Sequence, residues 1–366
     1  MSGETATRPA RVLEVFFQLH NRGGEQVARD IEIGLAERGH DVEVVGFFRR
    51  PRNGGIDIIP DAVVLNDGAV SPLSTLTTLV KFAKYVRSVK PHAAIIHTTA
   101  AALITTPLLR LLGVRRRIVI HHNPIGTYQG GPWVWIEKLM GSLGFYTDVV
   151  FVSEKGLDQV ADYPARYRQR ASTILNGVSI PAVTPRSREL VRQSFGIEPG
   201  QLMALSVGSL EHQKNQRVIV EAAGDAESVH LIIAGDGPLR PELERLAKEL
   251  DVAVTFTGNI PRAEIVELYH TADVLLFPSL HEGRPLTLIE ATLAGIPVVS
   301  SDIVENRAVL GDAADYLDPQ DSSAWASAMT ELALDPEALT SLRARMKDAE
   351  VTTVDDMVDG YEALLA

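Results

Sequence analysis

Apolar and polar positions along the chain follow two rhythms that trade places from one end to the other. Short runs rich in β-branched residues occupy 11–17 (RVLEVFF), 41–47, 93–97, 117–122 and 148–152. Between them lie stretches of helical period, such as 25–39, where Val27, Ile31 and Leu35 share one face and Gly39 supplies a stop. The same rhythm restarts at 202–208, 229–235, 252–258, 273–279 and 296–301, with helical stretches such as 238–250 between the runs. Alternation of near-continuous apolar strands with helices predicts parallel sheets covered on both faces. Its occurrence twice predicts an α/β chain of two doubly wound, Rossmann-like domains, over 1–182 and 183–348. The seam is expected near 176–190, where Pro181 and Pro185 interrupt the periodicity. Residues 349–366 read as a separate amphipathic helix with Val354, Met357, Val358, Tyr361 and Leu365 on one face, expected to pack back on the first domain.

Composition agrees with this and narrows the chemistry. A chain of 366 residues that is 45% hydrophobic and 22% charged suits a soluble globular protein with two cores. The opening residues read as the lead into a first strand rather than as a secretory signal. The longest apolar stretch, 98–113, is broken by Pro107 and Arg110 and falls short of a membrane span. There are no cysteines, which excludes disulfides and thiolate chemistry and is compatible with a cytoplasmic location. The net charge of −12 hides a division: residues 1–180 carry 21 Lys/Arg against 16 Asp/Glu, and residues 181–366 carry 14 against 31. Basic clusters at 47–52, 81–90 and 115–117 suit an anionic partner, such as the inner face of a membrane, or else are solvated faces. No nucleic-acid-binding module accompanies them, so no nucleic acid partner is expected.

In doubly wound sheets ligands bind beyond the carboxyl ends of the strands, where loops enter helices. Five such loops carry suitable residues. Gly23 and Gly24 open a helix after the first strand, letting backbone approach an anion, although a Gly-Gly turn is also generic. In SVGSLEHQKN, Lys214 at a helix start suits a diphosphate, with a solvated lysine as the competing reading. In AGDGP a structural turn is the simpler account. In FTGNIP, Asn259 and Ile260 follow a strand end, where backbone groups can read a flat ligand edge or form a plain turn. In HEGRPLTLIEATLAGIPVVSSD, residues 281–302, Glu282 and Glu290 flank a helix start near Pro285. The amides of Leu286, Thr287 and Leu288 are expected to stand unpaired there. Besides the ordinary polar trim of a helix, the two carboxylates admit three readings: a metal site, an acid/base pair, or two hydroxyl-binding groups either side of a phosphate pocket. Only His281 accompanies them, which disfavours a metal, and acid/base pairs must flank one bond at short range. The third reading fits best.

Taken in order, these loops resemble those of retaining GT-B glycosyltransferases that use nucleotide sugars, the glycosyltransferase family 4-like group. The most specific part is the glutamate-x7-glutamate stretch followed by Gly-Ile-Pro-Val-Val. Weaker echoes are NRGGEQVARDIEIGLAERGHDVEVV, VFVSEKG, ILNGV, VGSLEHQKN and AGDGP. The resemblance implies a GT-B fold whose two domains face each other across a cleft. It implies Glu290 on the ribose hydroxyls, Glu282 on the donor sugar with the Gly283 and Arg284 backbone, and Lys214 with the Leu286 and Thr287 amides on the diphosphate. It further implies Asn259 and Ile260 at the base, Gly23 and Gly24 at the phosphates, and His122, or its neighbour His121, near the donor sugar and acceptor. One departure stands out: Ser209 occupies a position where the family usually has arginine, so the phosphate clamp rests on Lys214 and amides unless Arg284 substitutes. The implied activity is transfer of a sugar from a UDP- or GDP-sugar to a hydroxyl acceptor, sugar or lipid-linked, in glycan, polysaccharide or glycolipid synthesis, with no cofactor and no metal. A nucleotide-sugar epimerase or hydrolase and a non-catalytic nucleotide-sugar-binding subunit are the alternatives. A dehydrogenase is disfavoured by the missing dinucleotide fingerprint. The aromatic loop 127–138, with Trp133 and Trp135, suits peripheral contact with an anionic membrane, or else holds core tryptophans.

Overall fold

The computed structural model describes residues 9–19, 23–49, 59–122, 125, 131–182, 186–347 and 349–366. The basic cluster at 47–52, the aromatic loop at 127–138 and the interdomain seam therefore lie partly outside the described residues. The chain divides into two compact units, one formed by 1–178 with 352–366 and the other by 179–351.

The first unit is built on seven strands: β1 (Arg11–Leu19), β2 (Asp41–Arg49), β3 (Val63–Asn66), β4 (Ala93–Ile96), β5 (Arg116–His121), β6 (Asp148–Phe151) and β7 (Ala171–Thr173). All pair in parallel, in the order β3-β2-β1-β4-β5-β6-β7. Helix α1 (Gly23–Glu37) links β1 to β2, while α2 (Pro72–Val89), α3 (Thr99–Leu111) and α4 (Pro132–Ser142) follow β3, β4 and β5. Right-handed crossovers put α1 on one face of the sheet and α2, α3 and α4 on the other. Leu13, Val15, Phe47, Ile96, Val119 and Val149 fill the larger core, each fully buried aliphatic side chain contributing about 1.5–3 kcal/mol.

The face that α1 covers is completed by the C-terminal helix Val354–Ala363. Met357, Val358, Tyr361 and Leu365 are buried there. The approach is close enough that a Cβ on Gly34 of α1 would lie 2.5 Å from a Val358 methyl. Arg38 pairs with Asp359 at 2.6 Å, and His40 meets Glu362 at 3.2 Å, along the rim of this contact.

The second unit has six parallel strands: β8 (Leu202–Val207), β9 (Val229–Ala234), β10 (Val254–Gly258), β11 (Val274–Phe277), β12 (Val298–Ser301) and β13 (Asp315–Leu317). Their order is β10-β9-β8-β11-β12-β13. Leu202, Ala204, Ile219, Ile233, Leu276, Val299 and Trp325 form its core. Both sheets therefore reverse winding direction once, between β1 and β4 in the first unit and between β8 and β11 in the second. Those switch points are where a doubly wound sheet leaves room for a ligand.

Three strands were not expected from the hydrophobic pattern: β3, β7 and β13. Each is three or four residues long, lies at a sheet edge and is only half-buried. An edge strand packs on fewer neighbours, so it needs no apolar run to hold it.

Candidate functional site

In the second unit, the loops leaving β8 and β11 flank the switch point and are tied together along their length. The Leu280 amide donates to the Gln213 carbonyl at 2.9 Å, and Gln213 Nε2 donates to the His281 carbonyl at 2.9 Å. Asn215, held in the left-handed region at φ 52°, donates its side-chain amide to the carbonyls of Pro278 (3.2 Å) and Pro319 (2.7 Å). This lacing brings Lys214 and Glu282 together. Lys214 Nζ donates to Glu282 Oε1 at 2.6 Å, and the ammonium lies 5.4 Å from the centre of the Phe277 ring. Glu282 is buried and Lys214 half-buried. A lysine solvated on a surface is thereby excluded as the reading of this position.

The glycines of AGDGP hold a second approach open. A Cβ on Gly235, which sits at φ 145°, would lie 2.0 Å from the Gly208 carbonyl oxygen, and one on Gly237 would lie 2.5 Å from the Leu210 carbonyl oxygen. The loop after β9 packs directly on the loop that carries Ser209 and Lys214, so this stretch is structural. Ser209 itself is half-buried, and its carbonyl accepts from Gln216 Nε2 at 3.1 Å.

Beyond Glu282 the chain passes the buried Gly283 and the half-buried Arg284 before entering the helix Leu286–Ala294. Burial draws the Arg284 guanidinium down to about 10. It is still a cation at neutral pH, carried on the same loop as Glu282. Pro285 is the residue before the helix, with no side-chain cap. The expectation of three unpaired amides needs correcting, because the Leu288 amide already donates to the Pro285 carbonyl at 3.1 Å. A tightened first turn satisfies that donor locally. Leu286 and Thr287 remain as the first two helical amides, for which the helix itself offers no carbonyl four residues back.

Glu290 lies on the same helix, half-buried. Arg262 Nη2 donates to its Oε1 at 2.9 Å and the Tyr269 hydroxyl to its Oε2 at 3.0 Å. Thr287 hydrogen-bonds the same tyrosine. Arg262 and Tyr269 thus orient a carboxylate, a group with about four acceptor positions when ionised. Asn259, exposed, and Ile260, half-buried, follow the end of β10. Among the described residues no group of three His, Asp or Glu side chains is arranged to hold a metal ion.

Gly23, Gly24 and His122 belong to the first unit. Gly23 and Gly24 open α1, and a Cβ on Gly24 would lie 3.8 Å from His122 Cδ2 and Nε2. The structure separates the two neighbouring histidines. His121 ends β5, is buried, stacks on Phe151 and lies 3.4 Å from Glu137. His122 turns toward His97, whose Nδ1 is 3.2 Å from His122 Nε2. Glu14, His97, Arg262 and Tyr269 escaped the sequence reading. For Glu14 a signal existed, a lone carboxylate in the apolar run RVLEVFF; for Arg262 and Tyr269 nothing local marks them.

The tryptophans on α4 are not in the core: Trp133 is 53% and Trp135 64% exposed. Leu139 and Leu143 are exposed with them, as are Leu73, Leu76 and Val80 of α2. Among the described residues no helix is long and apolar enough to cross a membrane.

Comparison with known proteins agrees with this architecture. The family model Glycosyltransferase Family 4 matches residues 21–181, and the model Glycosyl transferases group 1 matches residues 187–350. D-inositol 3-phosphate glycosyltransferase of Mycolicibacterium smegmatis is 30% identical over 212 residues, covering 54% of this chain and 49% of that protein. Alpha-monoglucosyldiacylglycerol synthase of Streptococcus pneumoniae is 29% identical over 171 residues, 43% of this chain and 38% of that one. The matched segments thus span about half, or less, of these relatives' lengths. The crystal structure of Anabaena HepE in complex with UDP and glucose superposes with a TM-score of 0.80 at 16% identity, covering 97% of this chain and 99% of that one. The two family models adjoin across the boundary between the two parallel-sheet units, and the chain belongs to the family 4-like glycosyltransferases of the GT-B fold class.

Proposed function

We propose that the protein is a retaining glycosyltransferase that moves a sugar from a nucleotide-diphosphate sugar, a UDP- or GDP-sugar, to a hydroxyl acceptor without a metal ion. The observation that carries this reading is the Lys214–Glu282 pair at 2.6 Å beside the start of the helix Leu286–Ala294, with Glu290 farther along that helix. The ammonium has three donors, so it can keep Glu282 and still reach a phosphate oxygen. Glu282 would then accept from donor-sugar hydroxyls and Glu290 from the ribose. The Leu286 and Thr287 amides and Arg284 add positive potential where charge grows on the departing diphosphate. Arg284, on the same loop as Glu282, also supplies a cation to substitute for the arginine whose position Ser209 occupies. In the front-face reaction the acceptor oxygen bonds to the anomeric carbon as the bond from that carbon to phosphate breaks. The acceptor's proton passes to the phosphate oxygen that leaves. HepE binds UDP and glucose, which supports UDP-sugars as the first donors to assay.

The test is product formation with UDP- and GDP-sugars. Glu282→Ala is expected to abolish transfer, whereas Glu290→Ala raises the donor KM with a smaller loss of turnover. Near-normal turnover in both variants overturns the assignment.

A lipid-linked acceptor is supported by the exposed Trp133, Trp135, Leu139 and Leu143 together with the basic cluster of 81–90. Aromatic and aliphatic side chains seat at the headgroup boundary while lysines and arginines meet anionic lipid. Cosedimentation with anionic vesicles at low salt is expected, and its loss in Trp133→Ser with Trp135→Ser; absence of binding by the unaltered protein removes the proposal.

A further inference from the structure

Behind His122 the first unit buries a polar chain that the proposed reaction does not use. Glu14 sits in the middle of β1 and His97 directly follows β4, on the two strands that bound the switch point. Glu14 Oε2 lies 2.7 Å from His97 Nε2, and His97 Nδ1 lies 3.2 Å from His122 Nε2. Phe16 stacks on His97 at 4.4 Å and 7°, and the His97 and His122 rings lie within 12° of parallel with centroids 5.4 Å apart, as suits a hydrogen bond between in-plane nitrogens. Glu14 and His97 are fully buried; His122 is half-buried and is the member of the chain that reaches the surface.

Two hydrogen bonds in series leave two arrangements. If the carboxylate accepts from His97 Nε2–H, His97 Nδ1 is a lone pair, His122 donates from Nε2, and His122 Nδ1 is a base. If a neutral carboxyl donates to His97 Nε2, His97 donates from Nδ1 to His122 Nε2, and His122 carries its proton on Nδ1. Burial selects between them, because a charge inside this core loses its hydration. Burial, reinforced by the negative charge of Glu32 on α1, raises the Glu14 carboxyl well above its usual range. Burial, reinforced by His122, also holds His97 well below the usual imidazole range, and burial, reinforced by His121, holds His122 down to about 4. Tyr361 of the C-terminal helix feels Glu14, and burial keeps its phenol neutral. The amide end of α1, whose Gly24 adjoins the His122 ring, further disfavours an imidazolium.

We propose that Glu14 and His97 are positioning residues that lock His122 as the neutral Nδ1–H tautomer, so that it meets a sugar oxygen as a hydrogen-bond donor and not as a general base. For its substrate the proposal rests on the glycosyltransferase reading; the tautomer is a property of the protein alone. With Nε2 engaged by His97 and Nδ1 protonated, the ring has no lone pair for the acceptor's proton. That proton is left to the departing phosphate.

The decisive measurement is long-range 1H–15N correlation of the full chain labelled with 15N-histidine at pH 7, assigned with His97→Gln and His122→Gln. The expected pattern for His122 is a protonated Nδ1 and an unprotonated Nε2. A protonated Nε2, or an imidazolium, overturns the proposal whatever the enzyme's activity. In the kinetic arm, Glu14→Leu lowers kcat by about 10- to 100-fold with donor KM within about threefold. Glu14→Gln, whose amide can donate to His97 Nε2, retains kcat within about threefold of the unaltered enzyme. Equal losses in the two variants at matched thermal stability overturn the positioning role. If the unaltered chain transfers no sugar, the glycosyltransferase reading fails, and the nitrogen signature still decides the tautomer.

Discussion

At the carboxyl end of the second sheet the polar groups meet as ion pairs, Lys214 with Glu282 and Arg262 with Glu290, all half-buried or better and carried on loops or on a helix. At the same end of the first sheet the polar groups Glu14, His97 and His122 come from strand interiors and strand ends, and burial keeps them neutral. The difference follows from depth. A half-buried pair retains enough hydration to stay charged, and can trade its partner for a charged ligand. A chain whose inner members, Glu14 and His97, are fully buried cannot carry charge there, and what it transmits to the half-buried His122 is the direction of a hydrogen bond. One region is therefore suited to meet a diphosphate and the other to orient a single polar contact.

The largest effect is expected in the charged region. Lys214→Met removes the ammonium from the proposed phosphate position and leaves Glu282 buried without the Lys214 ion pair. Turnover is expected to fall by about 10²–10³-fold, measured as kcat with saturating donor. A loss below about tenfold would show that Arg284 and the helix amides suffice.

The neutral region is expected to show itself in the pH dependence of stability. His97 and His122 bind protons less well when folded, so the unfolded chain takes up more protons as pH falls from the usual imidazole value toward about 4. Unfolding free energy therefore declines as pH drops through that window. Glu14 has the opposite sign: its raised folded value makes stability decline as pH rises above the usual carboxyl value. Glu14→Gln removes the opposing contribution. The slope of unfolding free energy against pH between 5 and 6 is then expected to steepen by up to about 1.4 kcal/mol per pH unit, measured by denaturant titration. An unchanged slope would place a charged carboxylate in that core and erase the contrast between the two regions.

The smallest effect belongs to the support of Glu290. Tyr269→Phe deletes one of its two named donors, and a single hydrogen bond is worth about 1 kcal/mol. Donor KM is expected to rise about fivefold with kcat unchanged. A fall in kcat instead would mean that Glu290 acts at the reacting bond.

Both central sheets were legible because a strand buried on two faces is mostly apolar, as 202–205 and 274–277 are. The loops were legible because glycines, Lys214 and the glutamate pair stand at strand ends, where a doubly wound sheet presents its ligands. The edge strands β3, β7 and β13 were not, since half-buried backbone places little demand on side chains. Nor did the chain reveal that Lys214 and Glu282, 68 positions apart, form a pair.

The sequence by itself determined the twofold α/β organisation, the order of the strand-to-helix loops and the residue types they carry, because periodicity and local backbone preference act over a few neighbours. Only the tertiary structure decided which groups meet. It turned His122 toward His97 and His121 toward Glu137, set Trp133 and Trp135 outside the core, and placed Arg262 and Tyr269 on Glu290. Those outcomes depend on how distant segments pack and on the hydration each polar group loses there, and neither is written in any short stretch of the chain.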